Sequence, residues 1–269
     1  MKELKNIVAA ITGAASGIGR SLAINLANEG CGLALADIDQ DGLNQTAKMI
    51  QDNGNKISTR VLDVADREQV YGFAADVVAE HGKVNIIINN AAVAMSETLE
   101  DVTYEDLNWL LGINLWGVIY GSKAFLPYLK QQPEGHIVNI SSVNGLFTNR
   151  NNGPYCTSKF AVRGFTLTLC QELKDTTVRV SCVHPGGIKT NIARNARFIK
   201  ASDPELSHEE AAEYFDNNIA RTSADKAARI IIKGIKKNKA RILVGTDAYI
   251  FDILLRLFPG MWQKLIARL

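Results

Sequence analysis

Seven short apolar runs, residues 7–12, 32–36, 57–61, 84–89, 137–140, 178–183 and 242–244, alternate along this chain with segments of helical length and period. Short apolar runs of this kind read as strands buried on both faces. Buried strands separated by helices require a parallel, doubly wound sheet, because each crossover needs an element that covers a sheet face. With 269 residues and 46% hydrophobic content, the chain can bury such a core. The expectation is a single α/β domain over residues 1–245, built on a parallel seven-stranded sheet with helices on both faces. Two stretches break the alternation: residues 191–222 are polar and charged, and residues 249–269 are strongly apolar.

Directly after the first run comes Thr12-Gly13-Ala14-Ala15-Ser16-Gly17-Ile18-Gly19-Arg20, with a helical stretch over 21–28. Gly13, Gly17 and Gly19 allow a tight turn whose backbone N–H groups approach a pyrophosphate at the helix N-terminus. Ser16 and Ile18 would lie against the same group. The spacing differs from Gly-x-Gly-x-x-Gly, and no Gly-Lys-Ser/Thr follows as in a nucleotide-hydrolysing loop. Alone, the loop also suits a plain strand-to-helix connection. The second strand, however, leads into Asp37, roughly where an acid would reach the adenosine ribose hydroxyls. That makes the expected domain Rossmann-like. A carboxylate at Asp37 repels a ribose 2′-phosphate, and neither Ile38 nor Ser16 supplies a cation for one, so NAD is expected rather than NADP. The alternative for Asp37 is a helix cap before Gln40. Asp63 and Val64, after the third strand, could face the adenine amino group; a plain turn acid is the alternative there.

Tyr155 stands four residues before Lys159, about one helical turn, so phenol and ammonium share a helix face. A cation there favours the phenolate and brings Tyr155 nearer the pKa that acid–base work needs. Ser142, thirteen residues before Tyr155, could hold a substrate oxygen against it. The Tyr/Lys spacing also occurs on ordinary helices, where packing or surface roles explain it.

Taken together and in order, the glycine loop, Asp63, Asn89-Asn90-Ala91, Asn114, Ser142, Tyr155 with Lys159, and Pro185-Gly186 followed by Thr190 carry a resemblance. From Asn6 to about Gly245 the chain resembles the short-chain dehydrogenase/reductase family. The resemblance implies Tyr155 as the acid–base group, Ser142 orienting the substrate oxygen, and Lys159 on the nicotinamide ribose. It implies that Asn114 holds a water continuing a proton relay from Lys159 to solvent. Asn90 and Ala91 would line the adenosine ribose side, and Pro185, Gly186, Ile188 and Thr190 would fix the carboxamide. Ser142 rather than Ser141 has the family's spacing, and strand alternation turns Ser141 the other way. Ala92 stands where the family usually has Gly. Apolar helices over 103–131 and 155–173 suggest, by the same resemblance, a homodimer or homotetramer.

The remaining signals mostly exclude. A net charge of +2 gives no whole-chain case for nucleic acid, although residues 223–269 hold ten Lys/Arg against three Asp. Cys31, Cys156, Cys170 and Cys182 form no Cys-x-x-Cys pair and read as buried reduced thiols. No His has ligand-like spacing, so no metal is expected, and His184 reads as a structural hydrogen bonder. The first strand begins close to Met1, which points to a cytoplasmic protein without a signal peptide. Residues 191–222 are expected to form a substrate lid, with Phe198, Ile199, Tyr214 and Phe215 facing Val93, Met95, Leu146 and Phe147 across the cleft. The substrate is therefore expected to be a small, mainly hydrophobic alcohol or ketone. Residues 246–269 read as an amphipathic helical extension broken at Pro259-Gly260. It either packs over the sheet edge, the substrate pocket or a subunit interface, or makes peripheral membrane contact through apolar residues beside cations. The other function class to weigh is a regulatory or membrane-associated NAD-binding protein without turnover.

Overall fold

A computed structural model of the chain describes residues 1–50, 54–198 and 207–258. The expected strands form as β1 (Val8–Thr12), β2 (Gly32–Asp37), β3 (Ile57–Val61), β4 (Ile86–Asn89), β6 (Gly135–Ile140), β7 (Val178–Pro185) and β11 (Arg241–Val244). They make one seven-stranded sheet in the order β11-β7-β6-β4-β1-β2-β3, and every pairing is parallel. The short strands β5 (Met95–Ser96) and β9 (Arg197–Phe198) pair with each other, as do β8 (Ile188–Lys189) and β10 (Thr222–Ser223).

Alternation along the strands sorts the core into two layers. Ala9, Ile11, Leu33, Leu35, Ile86 and Ile88 face α1 (Gly17–Asn28) and α8 (Ala224–Lys236). Val8, Ala10, Ala34, Ala36, Ile87 and Ile137 face α3 (Arg67–His81) and α5 (Gly117–Leu129). The doubly wound Rossmann-like architecture thus follows from a period of two laid on strands buried on both sides. Side chains set the helix starts: Asp39 accepts from Gly42 N–H ahead of α2 (Gln40–Lys48), and Asp66 accepts from Glu68 and Gln69 N–H ahead of α3.

The helical stretch expected over 103–131 is not uniform. It runs as α4 (Tyr104–Leu111), one π-helical turn at Gly112–Trp116, and α5. Asn114 sits in that π turn and is buried. The uninterrupted apolar character of the segment concealed the extra residue, which a 3.6-residue period cannot reveal. The stretch over 191–222 is likewise more ordered than a loop. It contains β9, the start of β10 and α7 (His208–Tyr214), whose capping box joins Ser207 and Glu210. The tail forms α9 (Thr246–Leu257); the second helix expected after Pro259-Gly260 lies outside the described residues.

On the α5 side of the sheet, a Cβ built on Gly121 would land on Asn89 Oδ1. That close approach lets the Asn89 amide donate to Ser122 Oγ at 3.2 Å and to Asn139 Oδ1 at 2.8 Å. Gly121→Ala is therefore expected to lower the free energy of unfolding in urea by about 1–3 kcal/mol, the usual cost of overpacking a tight core. An unchanged urea midpoint would show that α5 can ride outward freely.

Candidate active site

Because the sheet is parallel, the loops following its strands share one edge, and the sheet order reverses between β1 and β4. Ligands of open α/β sheets bind outside the strand ends at such a reversal. The glycine loop leaves β1 there. Gly13 has φ +67°, and a Cβ on Gly19 would fall on the Gly13 carbonyl oxygen, so neither position accepts a side chain without moving the turn. Across the reversal, Asn90 Nδ2 donates to the carbonyls of Thr12 and Gly13, each at 3.0 Å. Thr12 Oγ1 accepts from Asn90 N–H at 3.0 Å and Ala91 N–H at 3.1 Å. The result is a bare backbone cradle at the N-terminus of α1, which fits an anionic diphosphate.

Asp37 closes the neighbouring corner. Its carboxylate accepts from Ala15 N–H at 2.9 Å and from Asp39 N–H at 3.1 Å. It is not the cap of α2, which is Asp39. Ile38 beside it is 71% exposed. The cation nearest the loop is one the sequence reading passed over. Arg20 donates to the Ala15 carbonyl, to Gly42 O at 3.3 Å and to Thr46 Oγ1 at 2.9 Å, tying the loop to α2. Asp63 Oδ1 accepts from Ala65 N–H at 2.9 Å, a turn that sets Val64 against the core. Thr190 brings the segment after β7 to the same loop, since a Cβ on Gly17 would meet its Cγ2 at 3.1 Å. Ser16 is exposed, Ile18 is partly buried, and Ile188 is buried in β8.

The end of β6 is clamped to α6 (Gly153–Glu172) by successive residues. Asn139 Nδ2 donates to Thr166 Oγ1 at 3.0 Å, Lys159 Nζ donates to Ile140 O at 3.3 Å, and Ser141 Oγ donates to Lys159 O at 2.8 Å. Ser142 stands close enough to the Tyr155 phenol to pull its titration down. Tyr155, Lys159, Val162 and Thr166 recur at helical spacing on the side of α6 that meets the sheet. Ser141 thus turns to the helix backbone while Ser142 turns to the phenol, as strand alternation predicts. His184 Nδ1 lies 3.0 Å from the Ser142 carbonyl, which only accepts, so the ring nitrogen donates. Burial pushes that imidazole down to about 4, so it is neutral and structural rather than a base.

Asn114 is buried in the π turn, with its side-chain amide hydrogen-bonded at both ends. Its Oδ1 accepts from Val93 N–H at 2.8 Å, while Nδ2 donates to Val93 O at 2.9 Å and Ser158 Oγ at 3.2 Å. Ser158 in turn donates to Tyr155 O at 2.7 Å. The amide thus joins the loop after β4 to α6. Leu146 and Phe147, expected to face the lid, instead pack with Leu243, Ala248 and Leu255 under α9, and the Phe147 and Phe251 rings lie 4.6 Å apart. Met95 is buried beside β9, Val93 is partly buried and Tyr214 is exposed. Ile199 and the Phe198 side chain lie outside the described residues.

The electrostatics also correct the expectation for Tyr155. Lys159 Nζ lies 5.5 Å from the phenol ring centre, yet burial pushes the phenol up to about 12 against the pull of Ser142. Burial also pushes the Lys159 ammonium down to about 8. Desolvation disfavours the charged form of each group, so at neutral pH the phenol keeps its proton beside an ammonium that is still charged, and the phenolate that spacing alone suggested does not form.

Comparison with known proteins agrees with this geometry. The family model described as short chain dehydrogenase matches residues 7–199. The oxidoreductase named SadH of Mycobacterium tuberculosis is 42% identical, the match covering 99% of this chain and 96% of SadH. The 3-oxoacyl-[acyl-carrier-protein] reductase FabG of Thermotoga maritima is 35% identical over 70% of this chain and 76% of its own. Among solved structures, a short chain dehydrogenase/reductase of Burkholderia phymatum in complex with NAD superposes with a TM-score of 0.88 at 29% identity, covering 98% of this chain and 97% of that one.

Lys159 gives a pH test. The unfolded chain keeps this proton up to the ordinary 10.5, whereas the folded protein releases it near 8, so the unfolded state binds more protons in between. Stability contributed at this position should therefore rise with pH across that window and be lost as pH falls through it. In urea unfolding, the wild-type value relative to Lys159→Met is expected to climb between pH 8 and 10.5 and to be flat below 8. A difference that is flat throughout would mean that Lys159 titrates as a solvated lysine.

Proposed function

Because the chain belongs to the short chain dehydrogenase family, we propose that it is an NAD-dependent alcohol dehydrogenase or carbonyl reductase acting on a mainly hydrophobic substrate. In that family of oxidoreductases, hydride passes between a nicotinamide cofactor and a hydroxyl or carbonyl carbon. The observation that carries the finer reading is the β6–α6 clamp, which fixes Ser142 against the Tyr155 phenol with Lys159 buried beneath.

When bound, the nicotinamide supplies or accepts the hydride. The turn of Gly13, Ser16, Gly17, Ile18 and Gly19 would hold its pyrophosphate, Asp37 the adenosine ribose, and Asp63 and Val64 the adenine. Asn90 and Ala91 would line the ribose side, Lys159 would bind the nicotinamide ribose, and Pro185, Gly186, Ile188 and Thr190 would face the carboxamide. Tyr155 gives its proton to the substrate oxygen in reduction and takes it back in oxidation, while Ser142 holds that oxygen. A phenol near 12 carries its proton at neutral pH, the form a developing alkoxide requires. Asn114 would hold a water that continues the proton relay from Lys159 to solvent, while its side chain ties Val93 and Ser158 together.

Asp37 and the commitment of Arg20 to backbone carbonyls support NAD over NADP, as does the NAD-bound Burkholderia relative. The 191–222 segment is our proposed lid. Its base is pinned where Arg197 pairs with Asp106 at 2.7 Å and stacks 3.7 Å from the Trp109 ring. Trp116, Phe160 and Leu167, each more than a third exposed, supply apolar surface for a homo-oligomer.

Tyr155→Phe removes one hydroxyl and leaves the ring packing. Turnover is expected to fall about 10²–10⁴-fold with NADH affinity kept, read by absorbance of reduced cofactor over a panel of secondary alcohols and ketones. Near-normal turnover in this variant would remove Tyr155 from the mechanism. For cofactor choice, Asp37→Ser with Ile38→Arg should move preference from NAD towards NADP by exchanging repulsion for a charge-assisted phosphate contact. A wild-type enzyme that already favours NADP would contradict the premise.

A further inference from the structure

The first turn of α9 reaches back to the segment that follows β7. Asp247 Oδ2 accepts the backbone N–H of Gly187 at 2.7 Å. The same carboxylate lies against the backbone of Gly186 and Gly245, since a Cβ on either would fall on it. Gly245 adopts φ +100°, a conformation open to glycine, and so turns the chain sharply enough to aim Asp247 at Gly187. On the other side, Gly186 N–H donates to Val244 O at 2.9 Å and Thr222 N–H donates to Gly187 O at 3.2 Å. The turn over 185–187 is therefore held at both of its glycines by the β11–α9 corner and β10. The cap of α9 is Gly245, without a side-chain bond, so this carboxylate serves the neighbouring turn. Asp247 also lies beyond the residues matched by the family model.

We infer that Asp247 is a positioning residue for the nicotinamide end of the cofactor site, acting through the Gly187 backbone to fix the turn that faces the carboxamide. The inference rests on the cofactor reading proposed above. A backbone turn that has no side chain of its own at 186 and 187 binds well only if it is preorganised from outside, and Asp247 supplies one charge-assisted bond to that end. The adenosine half of the site is built on β1, β2 and β3, in the opposite half of the sheet. Loss of Asp247 should thus separate the two ends of the cofactor.

The test compares NADH with ADP-ribose, which lacks the nicotinamide, by fluorescence and calorimetric titration of the full chain. Asp247→Ala is expected to raise the Kd for NADH about tenfold and leave that for ADP-ribose within about twofold, with unchanged far-UV circular dichroism. Asp247→Asn keeps an acceptor oxygen and should restore most of the NADH affinity. Should Asp247→Ala fail to fold, Gly186→Ala displaces the carboxylate from the other side and should give the same split. Wild-type NADH affinity in Asp247→Ala, or equal weakening of both ligands in a folded variant, would overturn the assignment. A wild-type protein that binds ADP-ribose and NADH equally would also overturn it. Binding of neither by the wild type would remove the cofactor reading and the inference with it.

Discussion

Parallel pairing throughout the main sheet is the constraint on which the remaining structure depends. Strands that all run one way put all their C-terminal ends on one edge, and the crossovers must then cover both faces with helices. Five of the segments that build the site leave that edge: the glycine loop after β1, Asp37 at the end of β2, Asn90 after β4, Ser142 after β6 and the 185–190 segment after β7. The reversal of strand order between β1 and β4 opens the crevice between them. There the Asn90 amide bridges the two loops, its nitrogen lying close to where a Cβ on Gly13 or Gly19 would fall.

Helix α6 is set against this edge by polar bonds in an otherwise apolar interface. Asn139, Ile140, Ser141 and Ser142 reach Thr166, Lys159 and Tyr155 in reverse order, so a slide of α6 by one residue would break the contacts together. Buried polar groups cost free energy unless they are paired, so such an array favours one register over its neighbours. The same burial that makes the register strict also moves the titrations, raising the phenol and lowering the ammonium. Positioning and proton affinity therefore have a single origin, the exclusion of water from the β6–α6 seam.

The tail belongs to the domain through its inner face. Ala248, Phe251 and Leu255 pack over Leu146, Phe147 and Leu243, and Arg241 forms a two-pronged ion pair with Asp252, so α9 covers the β11 edge of the sheet. For residues 246–257 this is packing over the sheet edge; residues 259–269 lie outside the described residues. The opposite face of α9 leaves Tyr249, Ile250 and Ile253 about half exposed and Leu257 about two-thirds exposed. Among the described residues no helix is long and apolar enough to cross a membrane.

The strands, their parallel sense, the glycine turn and the Tyr155/Lys159 face were legible because each depends on local pattern: a period of two, a period of 3.6, or a residue type demanded by one turn. What could not be read was every feature set by distant chain. The π turn carries Asn114, whose amide meets Val93 and Ser158; the shift of the Tyr155 phenol reflects its burial in the seam; Arg20 and Asp247 act on backbone groups of segments far along the chain or on a different element. Sequence by itself determined which elements form and which chemical groups are available. Tertiary structure alone decided which groups are desolvated and paired, because burial and hydrogen-bond geometry arise only when elements far apart in the chain are packed together.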